Sequence, residues 1–460
     1  MNVPRRINLA EILSSDITEE YLDTLNDTEY MKYSRNAAFV HTLSTQVQYI
    51  ANLKLSHNLI FGIKNAVDGK MLGTVNCYVD FVEMTLDLGF LVFKNYQGKG
   101  YASEALGLFI EYLEVQFPGM TAVIGSNKDN FAMHEVAKKL NFQIDPCASQ
   151  GDDSNLRFSK KLSALNSQSL PLIPDFLLNA KRIGVAANDA GGAERISWLL
   201  QNLPQRVLAY IDGPALQIFR GSEFLFDEVS QLSEIMECDL IITGSGWMSQ
   251  LEVNAIQEAR LRNIPCVTVL DHWVNYLERF GDDENGKPQI LAVTNSIALT
   301  IAQEKFPNRV VWLLPDLQIE NYRQVLNQIE RSPTCVLVLL EPISNSNSMF
   351  AINNEATRNL INSAISLKRV NGYQSVVLRL HPSQLVFPML LEEFKNLNVE
   401  LEVSKGDALL TDLGNSAAVL GLSSYALYIS AMCEIDTYSP FAGMEGHWTN
   451  YFPQIKNLGC

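Results

Sequence analysis

The chain has 460 residues, 47% of them hydrophobic and 19% charged, an ordinary globular usage that excludes wholesale disorder. Thirty-five basic against fifty-one acidic residues leave a formal charge of −16, so there is no electrostatic footprint for nucleic acid. At about 100–200 residues per domain, this length implies two to four domains.

The opening MNVPRRINLAEILSSDITEEY lacks the apolar core of a signal peptide, and no apolar run approaches the ~18 residues of a membrane span. The expected location is the cytoplasm. The seven cysteines include no C-x-x-C pair, and most lie in apolar runs such as PCVTVL and TCVLVLL. They read as buried small residues in a reducing compartment, not as a zinc site.

Residues 1–162 alternate helical and strand patterns and are expected to form one domain. Within them, 85–93 (TLDLGFLVF) reads as an apolar strand and 95–100 as a glycine-bearing turn. Ala102 opens an amphipathic helix that carries Leu106, Phe109, Ile110 and Leu113. A strand, a glycine turn and a helix N-terminus make an anion cradle. Glycine lets the backbone approach closely, the free N–H groups point at the anion, and the helix dipole favours negative charge. Downstream, 122–126 reads as the next strand, and Asn130 starts a helix that ends in KKLNF at 138–142.

The pattern Gln97-x-x-Gly100-x-Ala102 resembles the coenzyme A loop of GNAT-family acetyltransferases. Asn130 and the KKLNF segment are similar to that family's N-x-x-S…EKLGF stretch, and ITEEYLDTLNDTEYMKYS looks like the start of its RimJ-like and amino-sugar branches. The resemblance covers residues 5–162 and implies acetyl-CoA as cosubstrate. The main-chain amides of Gln97, Gly98, Lys99, Gly100, Tyr101 and Ala102 would hold its pyrophosphate, and Asn130 its pantetheine arm. Backbone amides of Leu91, Val92 and Phe93 would polarise the thioester carbonyl. Asp87 is the first candidate for the base that receives the amine proton and Glu83 the second. Two departures stand out: the tyrosine many members use as thiolate acid would fall near Ala137, and the usual glycine of KLGF is Asn141. His134 is expected to be a surface or packing residue.

Residues 163–180 collect Ser, Asn and Pro without periodicity and are expected to be a linker. Beyond them the chain repeats short apolar strand, turn, helix. Strands are expected at 182–187, 207–211, 240–243, 266–270 and 310–314, then at 335–340, 376–380, 401–403 and 418–420. Such continuous apolar strands alternating with helices predict two parallel α/β lobes, at 181–316 and 317–460. The overall class is therefore α/β: an N-terminal GNAT-like α+β domain followed by two Rossmann-type α/β lobes.

Ligands of open α/β sheets bind outside the carboxyl ends of the strands. Gly191 and Gly192 stand there beside Asp189, as do Asp271, His272 and Trp273; in the later lobe come Arg379, His381, Pro382, Ser423 and Ser424. This half resembles GT-B-type glycosyltransferases of bacterial surface polysaccharides. Its His-Pro and Ser-Ser elements are similar to those of sialyltransferase-like and capsule enzymes that use CMP-activated sugars. The resemblance implies that His381 and Pro382 border the nucleotide and that Ser423 and Ser424 hold its phosphate. An acidic base, Asp189 or Asp271, would activate the acceptor hydroxyl, and His272 and Trp273 would meet the sugar or pack. No D-x-D stands at a strand end, so no metal is expected.

Together the two resemblances imply a bifunctional enzyme of surface-glycan assembly. It would acetylate an amino sugar, itself nucleotide-linked, and bind and transfer a nucleotide-activated sugar. The alternative is a protein N-acetyltransferase joined to a non-catalytic nucleotide-sugar or glycan binding module. The sequence leaves the sugar, the nucleotide and any homo-oligomer open.

Overall fold

The computed structural model describes residues 5–34, 38–55, 58–145, 155–166, 168–246, 249–328, 333–341, 355–380, 392, 395, 401–405 and 408–458. The chain divides into two compact units. One comprises residues 1–271 and 275–315, the other 272–274 and 316–460.

The first unit holds two sheets. One is mostly antiparallel, in the order β1 (Ile7–Ala10), β2 (Leu59–Asn65), β3 (Met71–Asp80), β4 (Thr85–Val92), β5 (Thr121–Asn127), β7 (Asn155–Lys161), β6 (Gln143–Ile144). Its one parallel pair is β4 with β5. One face is covered by α3 (Tyr101–Gln116), whose Leu106, Phe109, Ile110 and Leu113 pack on Leu72, Val75, Leu86 and Leu88. The other face meets α1 (Glu19–Asn26) and α2 (Leu43–Leu55) through a smaller cluster of Tyr21, Ile50, Leu53, Ile60 and Phe93. α4 (Phe131–Lys139) follows β5, and Asn130 caps it by accepting from the Met133 amide.

The second sheet is wholly parallel. Its order is β10 (Phe226–Glu228), β9 (Arg206–Ile211), β8 (Arg182–Ala187), β11 (Leu240–Thr243), β12 (Cys266–Val269), β13 (Ile290–Val293), β14 (Val310–Leu313). Counted from β8, this is the 3-2-1-4 arrangement of doubly wound folds, with the topological switch between β8 and β11. Its helices include α6 (Ala190–Leu200), α7 (Pro214–Arg220), α8 (Leu232–Ile235), α9 (Leu251–Leu261) and α10 (Ser296–Lys305).

The expected linker turns out to be part of the core. It carries α5 (Asp175–Leu178), in which Leu177 is fully buried. Phe176 packs edge-on against Phe81 and Phe117 and meets Trp312 at 5.9 Å. The Trp312 indole N–H donates to the carbonyl of Gln116 at the end of α3 (2.7 Å), and the Gln116 side chain accepts from the Phe176 amide (3.2 Å). Ser, Asn and Pro give 163–180 the look of a linker, but the segment anchors one sheet to the other through Phe176 and the buried Leu177.

The second unit is built on a parallel sheet in the order β17 (Glu402–Val403), β16 (Ser375–Arg379), β15 (Cys335–Leu339), β18 (Ser416–Gly421), β19 (Asp436–Ser439), β20 (Ile455–Asn457). α11 (Leu317–Gln328), α12 (Glu355–Asn371), α13 (Leu409–Asn415) and α14 (Tyr425–Met432) accompany it. Strands β13, β19 and β20 lie outside the expected series, as does β10. β19 hides because its fully buried positions are Thr437 and Ser439, whose hydroxyls donate to the carbonyls of Ile435 and Leu422. No helix among the described residues is long and apolar enough to cross a membrane.

Replacing Trp312 by Ala removes both the indole hydrogen bond and its aromatic contact. It is expected to cost about 3–5 kcal/mol of first-unit stability. Denaturant titration of the full chain, read by circular dichroism, checks this; an unchanged midpoint would mean the two sheets do not stabilise each other.

Candidate functional site

β4 pairs with β5 only at Thr85–Thr121, Leu86–Ala122 and Asp87–Val123, although both strands run on. On its other side β4 stays paired with β3 along its whole length, from Thr85 to Val92. The Phe93 amide donates to the Leu72 carbonyl (2.8 Å) and the Thr121 amide to the Met84 carbonyl (3.0 Å). Alternation along an antiparallel ladder therefore turns the main-chain groups of odd-numbered β4 residues toward β3 and those of even-numbered ones toward β5. The Leu88–Val92 stretch faces an opening, into which the amides of Phe90 and Val92 point.

This corrects the expectation for Leu91 and Phe93. Their amides belong to the β3 side, and of the three expected donors only Val92 faces the gap. The Val92 carbonyl accepts from the Tyr30 hydroxyl (2.7 Å) and the Gln97 carboxamide (3.4 Å). Burial pushes the Tyr30 phenol above its usual range. Nothing in the sequence pattern pointed to Tyr30.

The loop after β4 makes a short 3-10 turn (Lys94–Tyr96), and Gly98 and Gly100 take φ of +68° and +83°. Both values lie in the left-handed region that favours glycine. A side chain at Gly98 would meet nothing within 4 Å, so the turn is open. Gly100 is the N-cap of α3 and supplies no side-chain cap. Among the described residues, the amides of Gly98 through Ser103 donate to no protein acceptor. A row of free N–H groups at the start of a 16-residue helix is an anion site.

Arg6 fixes this loop from below. Its guanidinium donates to the Lys99 carbonyl (3.0 Å), pairs with Glu104 (2.7 Å), and lies over the Tyr101 ring at 4.8 Å. Lys99 donates from Nζ to the Asn95 carbonyl (2.9 Å). Arg6 was invisible as a functional residue because its partners are more than 90 positions away.

Asp87 is exposed, at the last rung before the strands part. Glu83 sits outside β4, in the turn where the Asp80 carboxylate accepts from its amide (2.9 Å). Ala137 is fully buried and leaves the expected tyrosine position empty. Asn141 takes φ +62°. His134 packs between Phe131 and Phe158, with Nε2 3.1 Å from the Asn127 carbonyl.

A family model described as "Acetyltransferase (GNAT) domain" matches residues 6–143. Residues 6–143 are a GNAT acetyltransferase domain. Among solved structures similar to the chain is the microcin C7 self-immunity acetyltransferase MccE, in complex with acetyl-CoA and AMP. It is 22% identical, covers 34% of this chain and 93% of its own, and has a TM-score of 0.30. RimL, a ribosomal L7/L12 alpha-N-protein acetyltransferase in complex with coenzyme A, is 16% identical over 36% of this chain and 98% of its own (TM-score 0.32). Spermidine N-acetyltransferase from Vibrio cholerae, with CoA and spermine, is 12% identical over 34% and 96% (TM-score 0.30). No curated protein matches the chain.

Outside the GNAT domain, the first unit gathers charged groups where β8, β11 and β12 end. Asp271 accepts from Arg279 (2.7 Å) and from Ser245 Oγ (3.1 Å). Glu252 is fully buried and accepts from the Asn188 amide (2.7 Å) and Ser249 Oγ (3.1 Å). Among the described residues, Asp189 Oδ1 is buried with no hydrogen-bond partner. Burial, then the charges of Asp271 and Glu252, push the Asp189 carboxyl up to about 7. Of the two expected bases, Asp271 is thus locked in an ion pair and Asp189 retains an unengaged oxygen.

The glycines here serve the protein itself. A Cβ at Gly191 would lie 2.0 Å from the Asp271 carboxylate, and one at Gly192 would lie 2.9 Å from the Gly244 backbone. They make room for that carboxylate and for a neighbouring strand end.

In the second unit, Trp273 is 4% exposed, stacked between Tyr425 and Trp448 at 5.5 and 5.0 Å, with Tyr428 and Phe452 against its edges. Both ring faces are covered, so Trp273 packs and does not stack on a sugar. His272 joins the same cluster, 5.4 Å from Trp448, and its Nδ1 accepts from the Trp273 amide.

Ser423 and Ser424 need the other correction. The Ser423 amide donates to Glu341 (2.6 Å), and the amides of Leu422 and Ser424 also bond that carboxylate. Burial raises the Glu341 carboxyl above its usual range. The nest expected to hold a phosphate is filled by the chain's own anion, and an incoming phosphate would meet like charge. Ser423 Oγ accepts from the Trp448 indole (2.8 Å) and lies 3.3 Å from His447 Nε2. Arg379 is paired with Asp412. His381 and Pro382 lie outside the described residues.

A buried acid whose folded pKa is raised costs stability as pH climbs through the window between its free and folded values. Wild type should therefore lose stability from about pH 4 to about pH 7 through Asp189. Asp189→Asn should melt near wild type at pH 4 and clearly above it at pH 8. Equal melting temperatures at both pH values would show that Asp189 carries no such strain.

Proposed function

We propose that the chain is a cytoplasmic, bifunctional enzyme of surface-glycan assembly whose GNAT domain transfers the acetyl group of acetyl-CoA to the primary amine of an amino sugar, itself nucleotide-linked. The observation that carries the acetyl transfer is the run of unpartnered amides from Gly98 to Ser103. They suit the diphosphate of coenzyme A, with Gln97 and Lys99 beside it. The opening along Leu88–Val92 suits the extended pantetheine arm, which replaces the missing strand as hydrogen-bond partner.

The reaction needs little else. The amine lone pair attacks the thioester carbonyl, the C–N bond forms, and the C–S bond breaks to release coenzyme A. Amides of Phe90 and Val92 stabilise the developing oxyanion. Asp87, where β4 parts from β5, accepts the amine proton directly or through a water.

The rest of the chain, in this reading, binds a nucleotide-activated sugar and transfers it, with Asp189 as the base for the acceptor hydroxyl. Support comes from the switch point between β8 and β11 and from the raised, partly unengaged Asp189 carboxylate. The filled nest at Ser423 and Ser424 assigns the nucleotide phosphate to other groups.

Asp87→Asn is expected to lower kcat for acetyl transfer by about 10²-fold while coenzyme A binds as in wild type. Thiol release from acetyl-CoA measures the first and calorimetry the second. An Asp87→Asn enzyme at wild-type rate would remove the base assignment.

A further inference from the structure

Asp87, Gly89 and Leu91 point to the α1–α2 side of the sheet, with Tyr78, Asn76 and Thr74 directly opposite them on β3. Away from the helices this face carries a polar patch. The Asn76 carboxamide lies over Gly89, so close that a Cβ there would sit 2.6 Å from Asn76 Oδ1. Gly89 is therefore glycine because Asn76 occupies its side-chain space. The Asn76 side chain is half-buried and, among the described residues, bonds no protein group. Both its donor and acceptor ends are available beside the point where β4 and β5 part.

Next along β3, the Tyr78 hydroxyl lies 3.0 Å from that of Tyr49 on α2. Burial, then the hydrogen bond with Tyr78, hold the Tyr49 phenol far above its usual range, so it stays a neutral hydroxyl. The Tyr78 ring is 42% exposed. The patch thus combines one carboxylate, Asp87, with one carboxamide and two phenols, all on the face opposite α3.

We propose that Asn76, Tyr78 and Tyr49 bind the amine-bearing end of the acetyl acceptor, and that this end carries neutral hydroxyl groups beside the amine, as in the amino-sugar or amino-alcohol class. This rests on the reading of the GNAT domain as an acetyltransferase. The opening between β4 and β5 joins the two faces of the sheet, so the thioester can come from the α3 side and the amine from the patch. Asp87 meets the amine. The Asn76 carboxamide and the paired phenols donate to and accept from hydroxyls on the adjacent carbons. A polyamine would place its further charges beside neutral groups and gain nothing from them.

The test uses the full chain saturated with coenzyme A and four probe amines: D-glucosamine, ethanolamine, spermidine and an N-terminal alanine tripeptide. Binding is read by ligand-observed NMR, and turnover separately by thiol release. Glucosamine should bind best, and Asn76→Ala and Tyr78→Phe should each weaken it about tenfold, in line with the loss of one hydrogen bond. Coenzyme A affinity and melting temperature should stay at wild-type values. Preference for spermidine or the tripeptide would overturn the proposal, as would unchanged glucosamine binding in both variants. Glucosamine binding without turnover would instead defeat the acetyltransferase reading and leave the acceptor patch in place.

Discussion

Past Asp87 and Val123 the two central strands of the first sheet stop exchanging hydrogen bonds, and beyond β4 the chain turns into a helix with no side chain over its first amides. Main-chain groups in a folded protein are rarely left without partners. Here one stretch leaves amides open along the strand and again around Gly98–Ser103. The positive φ of Gly98 and Gly100 holds the loop in that shape, and Arg6 ties the Lys99 carbonyl back, so the N–H groups turn outward. A long molecule with amides at one end and a diphosphate at the other would satisfy both sets at once.

The same domain shares its core with the doubly wound sheet that follows. α3 begins at the anion loop and ends at Gln116, where the Trp312 indole and the Phe176 amide take hold of it. The helix that presents the loop is thus fixed at its far end by residues 60 and 196 positions away. Burying Phe81, Phe117, Phe176 and Trp312 together makes the two sheets one hydrophobic body.

Local features were readable from the sequence. The strand at 85–93, the glycine turn, the helix with Leu106, Phe109, Ile110 and Leu113, and the Asn130 cap each follow from short-range chemistry. The apolar strands of the parallel sheets were equally plain, because full burial demands unbroken Val, Ile and Leu. What escaped depended on distant partners. Arg6, Tyr30 and Asn76 look like ordinary surface residues until the fold brings them to Lys99, Val92 and Gly89. Trp273 could be read as a sugar contact or a packing residue and Ser423 as a phosphate ligand; Tyr425 and Trp448 cover the first and Glu341 engages the second. At Gly191 and Gly192 the group that approaches closely is the chain's own Asp271 or Gly244. Residues 163–180 misled because two apolar anchors, Phe176 and Leu177, outweigh many polar neighbours.

Amide hydrogen exchange of the full chain, with and without coenzyme A, examines the open main chain directly. The account predicts that bound coenzyme A slows exchange at Phe90, Val92 and Gly98–Ser103 more than elsewhere in the domain. Coenzyme A bound with unchanged exchange at those amides, or no binding at millimolar concentration, would contradict it.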